Sequence, residues 1–448
     1  MQPDADAADR SEGDLNLGRR RQAWQAAHLD PATRELLDED ARWFLHQSMS
    51  TPCLNALQGA QGAWLTDTAG RRILDFHGNS LHQIGYGHPA VLAAMREALD
   101  TLPFSPRRYT HRLAVELARR LCQAAPMTGA RLLFAPGGTV AIGMALKLAR
   151  LATGRFKTVS MWDAFHGASL DAISIGGEAA FRRGIGPLLP GSEHVPPCDP
   201  GHCVFGCGGD CSLRCADYVE HCLDKEGDVA AVIVETVRST DVQVPPPPYY
   251  RRLRQACDRH GALLILDEIP IALGRTGHLY AIERYGVEPD MIVIGKGLGG
   301  GSMPLAALIA REGLNLGQQV SLGHYTHEKN PVACAAGLAV LDVIEREGLL
   351  ERSRRLGDEA LVRLRALTRD LPSVTDVRGA GLLLAIELDS ADLAEAVLYR
   401  CLGAGLSFKV GQGRVLVLAP PLNIDTDELW WALDRVHEAV RDESARRG

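Results

Sequence analysis

Lysine is scarce in this chain. Only Lys147, Lys157, Lys225, Lys296, Lys329 and Lys409 are present among 48 basic residues, and the rest are arginine. Long apolar runs are missing too, so no bilayer-spanning helix is expected. The N-terminus, MQPDADAADRSEGDLNLG, lacks the apolar core of a signal peptide. A cytoplasmic protein is expected, with residues 1–16 as a disordered acidic tail. There is no basic excess: the net charge of −7 argues against nucleic acid or an anionic membrane as the main partner. What remains is an ordinary globular balance, 46% hydrophobic and 23% charged. The 448 residues are enough for a large catalytic domain and a smaller companion.

From about residue 90, helical patterns alternate with short apolar runs: RLLFAP, KTVSMWD, VAAVIVE, LLILDE, MIVIGK and PLAALIA. Each is apolar on both faces and bounded by Gly, Pro or charge, as buried strands of a mostly parallel sheet are. Helical stretches at 140–152 and 249–260 supply crossovers. Upstream, residues 17–60 carry polar helical segments, and GAWLTDTAGRRILDFHG turns like a hairpin. Downstream, a long helical stretch over 331–370 leads to DVRGAGLLLAIEL, a helix, VLVLAPPLNI and a final helix. The expected architecture is α/β. Residues 17–75 pack with a small α+β domain at 336–448. Residues 76–335 form the large domain, with a cysteine-rich insertion at 198–222.

Two strand ends carry the strongest chemical signal. LLILDE delivers Asp267, and MIVIGK delivers Lys296 ahead of GLGGG. Ligands of parallel α/β sheets bind beyond the carboxyl ends of the strands. A lysine there can be partly desolvated, which lowers its pKa and suits Schiff-base chemistry. An aspartate on a neighbouring strand end can keep a pyridine nitrogen protonated. The plain alternative is a strand-capping Asp beside a solvated Lys. The other lysines compete poorly: Lys147 lies in an amphipathic helix, Lys157 begins a strand and Lys225 sits in the charged turn DKEGD.

The block LLILDEIPIALGRTGHLYAIERYGVEPDMIVIGKGLGGGSMPLAALIA resembles the signature of class III aminotransferases, which are fold-type I pyridoxal-phosphate (PLP) enzymes. The resemblance runs from DFHGNSLHQIGYGHP to VLAPPLNI. It implies that Lys296 bears the cofactor and that Asp267 faces its ring nitrogen. In APGGTVAIGMALKLAR, Gly138 and Thr139 open a helix that holds the cofactor phosphate; alone, Thr139 reads equally as a helix cap. WDAFHG places Phe165 on one face of the ring, with His166 beside it, and Ile269 on the other. Glu235 ends VAAVIVE near the site. Thr326, in HYTHEKNP, matches the phosphate ligand that the family takes from a neighbouring subunit, which implies a homodimer with shared sites.

Several positions depart from the family's transaminases. Pro270 stands where Gln is usual, Ile271-Ala272 replaces Thr-Gly, Glu328-Lys329 replaces Gly-Gly, and Thr236 replaces Pro. FHGNSLHQIGYGHP, RRYTHR, GGTVAIGMALKLAR, GHYTHEKNP and GLSFKV are similar to a subgroup, the (R)-1-hydroxy-2-aminoethylphosphonate ammonia-lyases. That resemblance implies elimination of ammonia; an ω-transaminase is the alternative, and a non-catalytic protein of this fold a remote one. A phosphonate dianion calls for cationic donors, and Arg107, Arg108, Arg238, Lys329 and Arg378 are candidates. His77, His82 and His327 are candidate acids for the leaving hydroxyl. Eleven cysteines in a reducing compartment are thiols or metal ligands. The crowded spacing from Cys198 to Cys222 does not follow the usual C-x2-C zinc pattern, and no metal is assigned.

Overall fold

The computed structural model describes residues 18–447 except 49 and 208–210. The expected disordered tail therefore lies outside the described residues. The chain forms two units. The larger comprises residues 89–239 and 243–350, and the smaller takes the flanking segments with residues 240–242.

All six apolar runs become strands of one seven-stranded sheet in the larger unit. We number its strands β1 (Arg131–Ala135), β2 (Lys157–Met161), β3 (Ser192–Val195), β4 (Val229–Glu235), β5 (Leu263–Asp267), β6 (Met291–Ile294) and β7 (Ala306–Ala310). They lie in the order β1-β7-β6-β5-β4-β2-β3. Strands β4, β5 and β6 are buried at every position, which is why they read as continuous apolar runs. Only β7 runs against its neighbours. The edge strand β3 escapes the sequence pattern because its residues, SEHV, are largely polar and half-buried. Helix α1 (Gly138–Thr153) buries Ile142, Ala145 and Leu146 in a core shared with Ile233, Ile265, Val293 and Leu308. Helices α2 (Arg214–Glu226), α3 (Pro248–His260) and α4 (Pro331–Arg346) follow.

In the smaller unit, the expected hairpin is Trp64–Asp67 paired with Arg72–Asp75. A third strand, Leu57–Gln61, lines one side, and Leu406–Ser407 adds in parallel on the other. A second sheet holds Val374–Ala380, Leu383–Leu388, Val415–Leu418 and Lys409–Gly411. Both unit boundaries differ from the expected 76 and 336. Residues 76–88 join the smaller unit, where the Phe76 N–H donates to Ser407 O at 2.7 Å and Leu422 N–H to Gln83 O at 2.7 Å. A line at 336 would cut through α4, which is continuous from its Asn330 cap to Arg346. Among the described residues no helix is long and apolar enough to cross a membrane.

One carboxylate ties the start of β5 to its neighbours. Asp290 is 4% exposed. Its Oδ2 accepts from the Leu264 N–H at 2.7 Å and from Arg254 at 2.6 Å, and its Oδ1 accepts from Arg311 at 2.7 Å. Asp290→Ala leaves the buried Leu264 N–H without its acceptor and takes one of two carboxylate partners from the half-buried Arg254, which keeps Asp258 at 2.7 Å. The expected loss is about 2 kcal/mol, read as a lower midpoint in urea denaturation.

Candidate active site

Parallel register sets Glu235 of β4 directly beside Asp267 of β5. Two buried carboxylates at adjacent strand ends need compensation, and each receives it. Asp267 accepts the Ile269 N–H on Oδ1 at 3.0 Å and His166 Nδ1 on Oδ2 at 2.8 Å. A carboxylate only accepts, so Nδ1 is the protonated nitrogen there. His166 Nε2 lies 3.4 Å from the Ser160 hydroxyl. Glu235 accepts the N–H groups of Phe165 at 2.8 Å and Ser239 at 3.1 Å. Burial pushes its carboxyl up, the nearby His166 pulls it down, and Asp267 adds to the rise.

The glycines show how tightly the remaining parts close on one another. A Cβ on Gly138, the first residue of α1, would meet Ile269 Cδ1 at 2.8 Å. One on Gly295, just before Lys296, would meet Ile269 Cγ2 at 3.3 Å. One on Gly167, at φ +123°, would meet Thr139 Oγ1 at 2.2 Å. Thus Ile269 joins the start of α1 to the lysine turn, and the Phe165-His166-Gly167 turn rests on Thr139. Lys296 itself has φ +45°, a left-handed backbone that is rare outside glycine and concentrates at functional sites. A partly desolvated amine was expected; Lys296 is exposed, between buried Gly295 and Gly297.

These residues fit PLP. Gly137 gives the N-terminus of α1 no side-chain cap, so its first N–H groups suit an anion such as phosphate. Asp267, fixed through His166, keeps lone pairs for a protonated ring nitrogen. Phe165 is half-buried, with its ring 4.4 Å from that of Phe181, and Ile269 is buried. The Thr139 hydroxyl differs from expectation. It pairs with the Ser169 hydroxyl at 2.9 Å and accepts the Ser169 N–H at 3.3 Å. Sequence reasoning missed Ser160 and Ser169, because a lone serine carries no pattern that reveals a partner far along the chain.

The expected cations divide into two groups. Arg378 belongs to the smaller unit and is fully engaged there. It donates to Val242 O at 3.0 Å, Asp241 O at 2.7 Å, Glu387 at 2.7 Å and Asp376 at 2.8 Å. That corrects its reading as a substrate-binding arginine, since its donors hold two carboxylates and two carbonyls. Arg238 is also a correction: it is buried, 3.3 Å from Asp199 and 3.8 Å from Asp163. Arg107, Arg108 and Thr326 are exposed, and Lys329 is half-buried. Two loops of the larger unit meet here. Arg107 bonds His324 at 2.6 Å, His111 bonds Lys329 O at 2.7 Å, and His327 stacks edge-on to Phe104. Of the histidines, His82 is fully buried with Nε2 donating to Asp75 O at 3.0 Å, which makes it a poor acid. His77 is half-buried in the smaller unit, its N–H held by Asp75 at 3.0 Å.

Comparison with known proteins agrees with this geometry. The sequence profile of the class-III aminotransferase family matches residues 46–440. The chain is 48% identical to the (R)-1-hydroxy-2-aminoethylphosphonate ammonia-lyase of Vibrio splendidus, over 96% of this chain and 95% of that protein. It is 35% identical to the acetylornithine aminotransferase of Methanopyrus kandleri, over 91% and 98% of the two chains. Among solved structures, the omega transaminase of Pseudomonas jessenii in complex with PMP is similar, with a TM-score of 0.86 and 25% identity, covering 92% of this chain and 98% of that one.

Lys296→Ala is expected to abolish covalent attachment of the cofactor. Borohydride reduction of the wild type should leave label on the peptide carrying Lys296, and that label should vanish in the variant. Label persisting on another lysine would overturn the assignment.

Proposed function

This chain belongs to the class-III aminotransferases, enzymes that use PLP, and from that premise we propose that it is an ammonia-lyase. It converts (R)-1-hydroxy-2-aminoethylphosphonate to phosphonoacetaldehyde and ammonia. The observation that carries this reading is the 48% identity, along nearly the whole of both chains, to the Vibrio splendidus protein of that name. PLP bound here supplies an electron sink for the carbon that bears the amine.

The chain's own groups supply the rest. With the cofactor and substrate bound, the Lys296 amine would serve as the base that takes a proton from the carbon bearing nitrogen. Asp267, held by His166 and the Ile269 N–H, keeps the ring nitrogen protonated. Glu235 fixes the Phe165 turn through its N–H, which sets the stacking face. The β-hydroxyl leaves as water, with a histidine of the larger unit such as His327 as its acid, and water returns when the released product hydrolyses. The net loss is ammonia, so no keto acid is consumed. Arg107, Arg108 and Lys329 are the donors we assign to the phosphonate, because Arg238 and Arg378 already hold carboxylates.

Those donors share a loop pair with exposed Thr326. The reading therefore includes a homodimer in which this loop pair serves the partner's site. A groove of about 530 Å³ beside β1 supports it. Val115, Leu133, Leu148, Val320 and Leu322 line it, with Glu328 and Lys329. Val115 and Val320 are 55% and 48% exposed, an apolar surface suited to a second copy. The reading also places the enzyme in the cytoplasm, which its eleven unbridged cysteines support.

The lyase is expected to release ammonia over many turnovers from the hydroxyaminophosphonate with no acceptor present. A single turnover that stalls with the cofactor aminated, then restarts on adding pyruvate, would make this a transaminase. For the dimer, mix inactive Lys296→Ala with an inactive Thr326→Trp protein. A mixed dimer then carries both lesions at one site and neither at the other, so part of the activity should return. Unchanged inactivity despite proven subunit exchange would rule out supply across the interface.

A further inference from the structure

The segment between β3 and α2 carries Cys198, Cys203, Cys207 and Cys211, Cys215 is the second residue of α2, and the chemistry above uses none of them. Among the described residues no group of three or more His, Cys, Asp or Glu is arranged to hold a metal ion. The cysteines fall into two settings. Cys198 and Cys215 are buried. Cys203 and Cys207 are part-exposed on a turn closed by the Gly206 N–H donating to Cys203 O at 2.9 Å.

The Cys207 sulfur lies 3.1 Å from the Ser212 hydroxyl. The Cys203 thiol and the backbone of Ser212 and Arg214 add to the electrostatics that favour its thiolate. Arg214 opens α2, and Leu213 before it offers no capping side chain. The start of α2 is where the helix dipole favours negative charge. A thiolate, not a thiol, suits that set.

We propose that Cys207 and Cys203 form a reactive dithiol, a modification site for low-molecular-weight disulfides. The Cys207 thiolate attacks one sulfur of such a disulfide and displaces the other as a thiolate, giving a mixed disulfide. The Cys203 thiol then loses its proton and attacks the Cys207 sulfur, releasing the second small thiol. Two protein thiols and one small disulfide become one Cys203–Cys207 bond and two small thiols. The electrons balance with no other oxidant. Within the pair, Cys207 attacks first: the Ser212 hydroxyl and then the Cys203 thiol hold it down to about 7. Elsewhere burial pushes thiols up, Cys257 and Cys334 to about 12.

The test uses the holoenzyme, limiting iodoacetamide across a pH series, and peptide mass spectrometry. Cys207 should label about fivefold faster than Cys53 at neutral pH, since the gain in thiolate outweighs its lower intrinsic nucleophilicity. Its rate should rise through an apparent pKa near 7. Ser212→Ala should move that midpoint upward. Oxidised glutathione should remove two hydrogens from the peptide carrying both cysteines. In Cys203→Ser the glutathione adduct should instead accumulate on Cys207. Labelling of Cys207 no faster than Cys53, or no bond to Cys203 under oxidised glutathione, overturns the proposal. So does one zinc per chain that blocks labelling until it is chelated, which would make the cluster a metal site. If Ser212→Ala misfolds, the wild-type pH profile and the Cys203→Ser adduct decide the matter.

Discussion

The hydrogen bond between His166 Nδ1 and Asp267 Oδ2, 2.8 Å long and wholly buried, is the constraint on which the site depends. Two carboxylates stand side by side at the ends of β4 and β5 because parallel register leaves them no choice. Without a donor between them, one would have to protonate or move. The histidine that resolves this is covalently next to Phe165, and Phe165 lends its N–H to the other carboxylate. One short turn therefore settles both charges and fixes the aromatic wall. Gly167 is equally bound into that arrangement, since a side chain there would strike Thr139.

The sheet and the two principal residues were legible in the sequence for a simple reason. Strands buried on both faces leave long apolar signatures, and the residues at their carboxyl ends fall where ligands bind. The polar edge strand Ser192–Val195 left no such mark. The fates of the arginines were not legible either. Arg378 meets Asp241 and Val242 across 136 or more residues, and Arg238 meets Asp199 across 39. Such pairings are set by tertiary approach. A solitary cation in the sequence looks the same whether it waits for a substrate or braces a loop. The glycine-led start of α1 was legible as a pattern, yet the engagement of the Thr139 hydroxyl by Ser169 was not.

The scarcity of lysine has a chemical side. An arginine side chain binds carboxylates with a planar fork and offers no nucleophilic amine. Loops can be braced by arginine without offering an amine that competes for an aldehyde. Lys157 is held by Glu226 at 2.6 Å and Asp228 at 2.9 Å, which keeps it charged and raises its pKa. The composition thus leaves the reactive amine with few rivals.

The smaller unit is assembled from both ends of the chain, and that bears on its synthesis. Strand Arg72–Asp75 finds its parallel neighbour only in Leu406–Ser407. At ribosomal speeds the interval between the two is some tens of seconds. Through that time the N-terminal meander has an open edge, the kind of surface on which nascent chains stick to one another. The larger unit, encoded almost without interruption between, can close its sheet before Leu406–Ser407 emerges. Heterologous production should therefore be most sensitive to slow translation and crowding of nascent chains late in synthesis, and a holdase that covers β edges should improve yield more than added cofactor does.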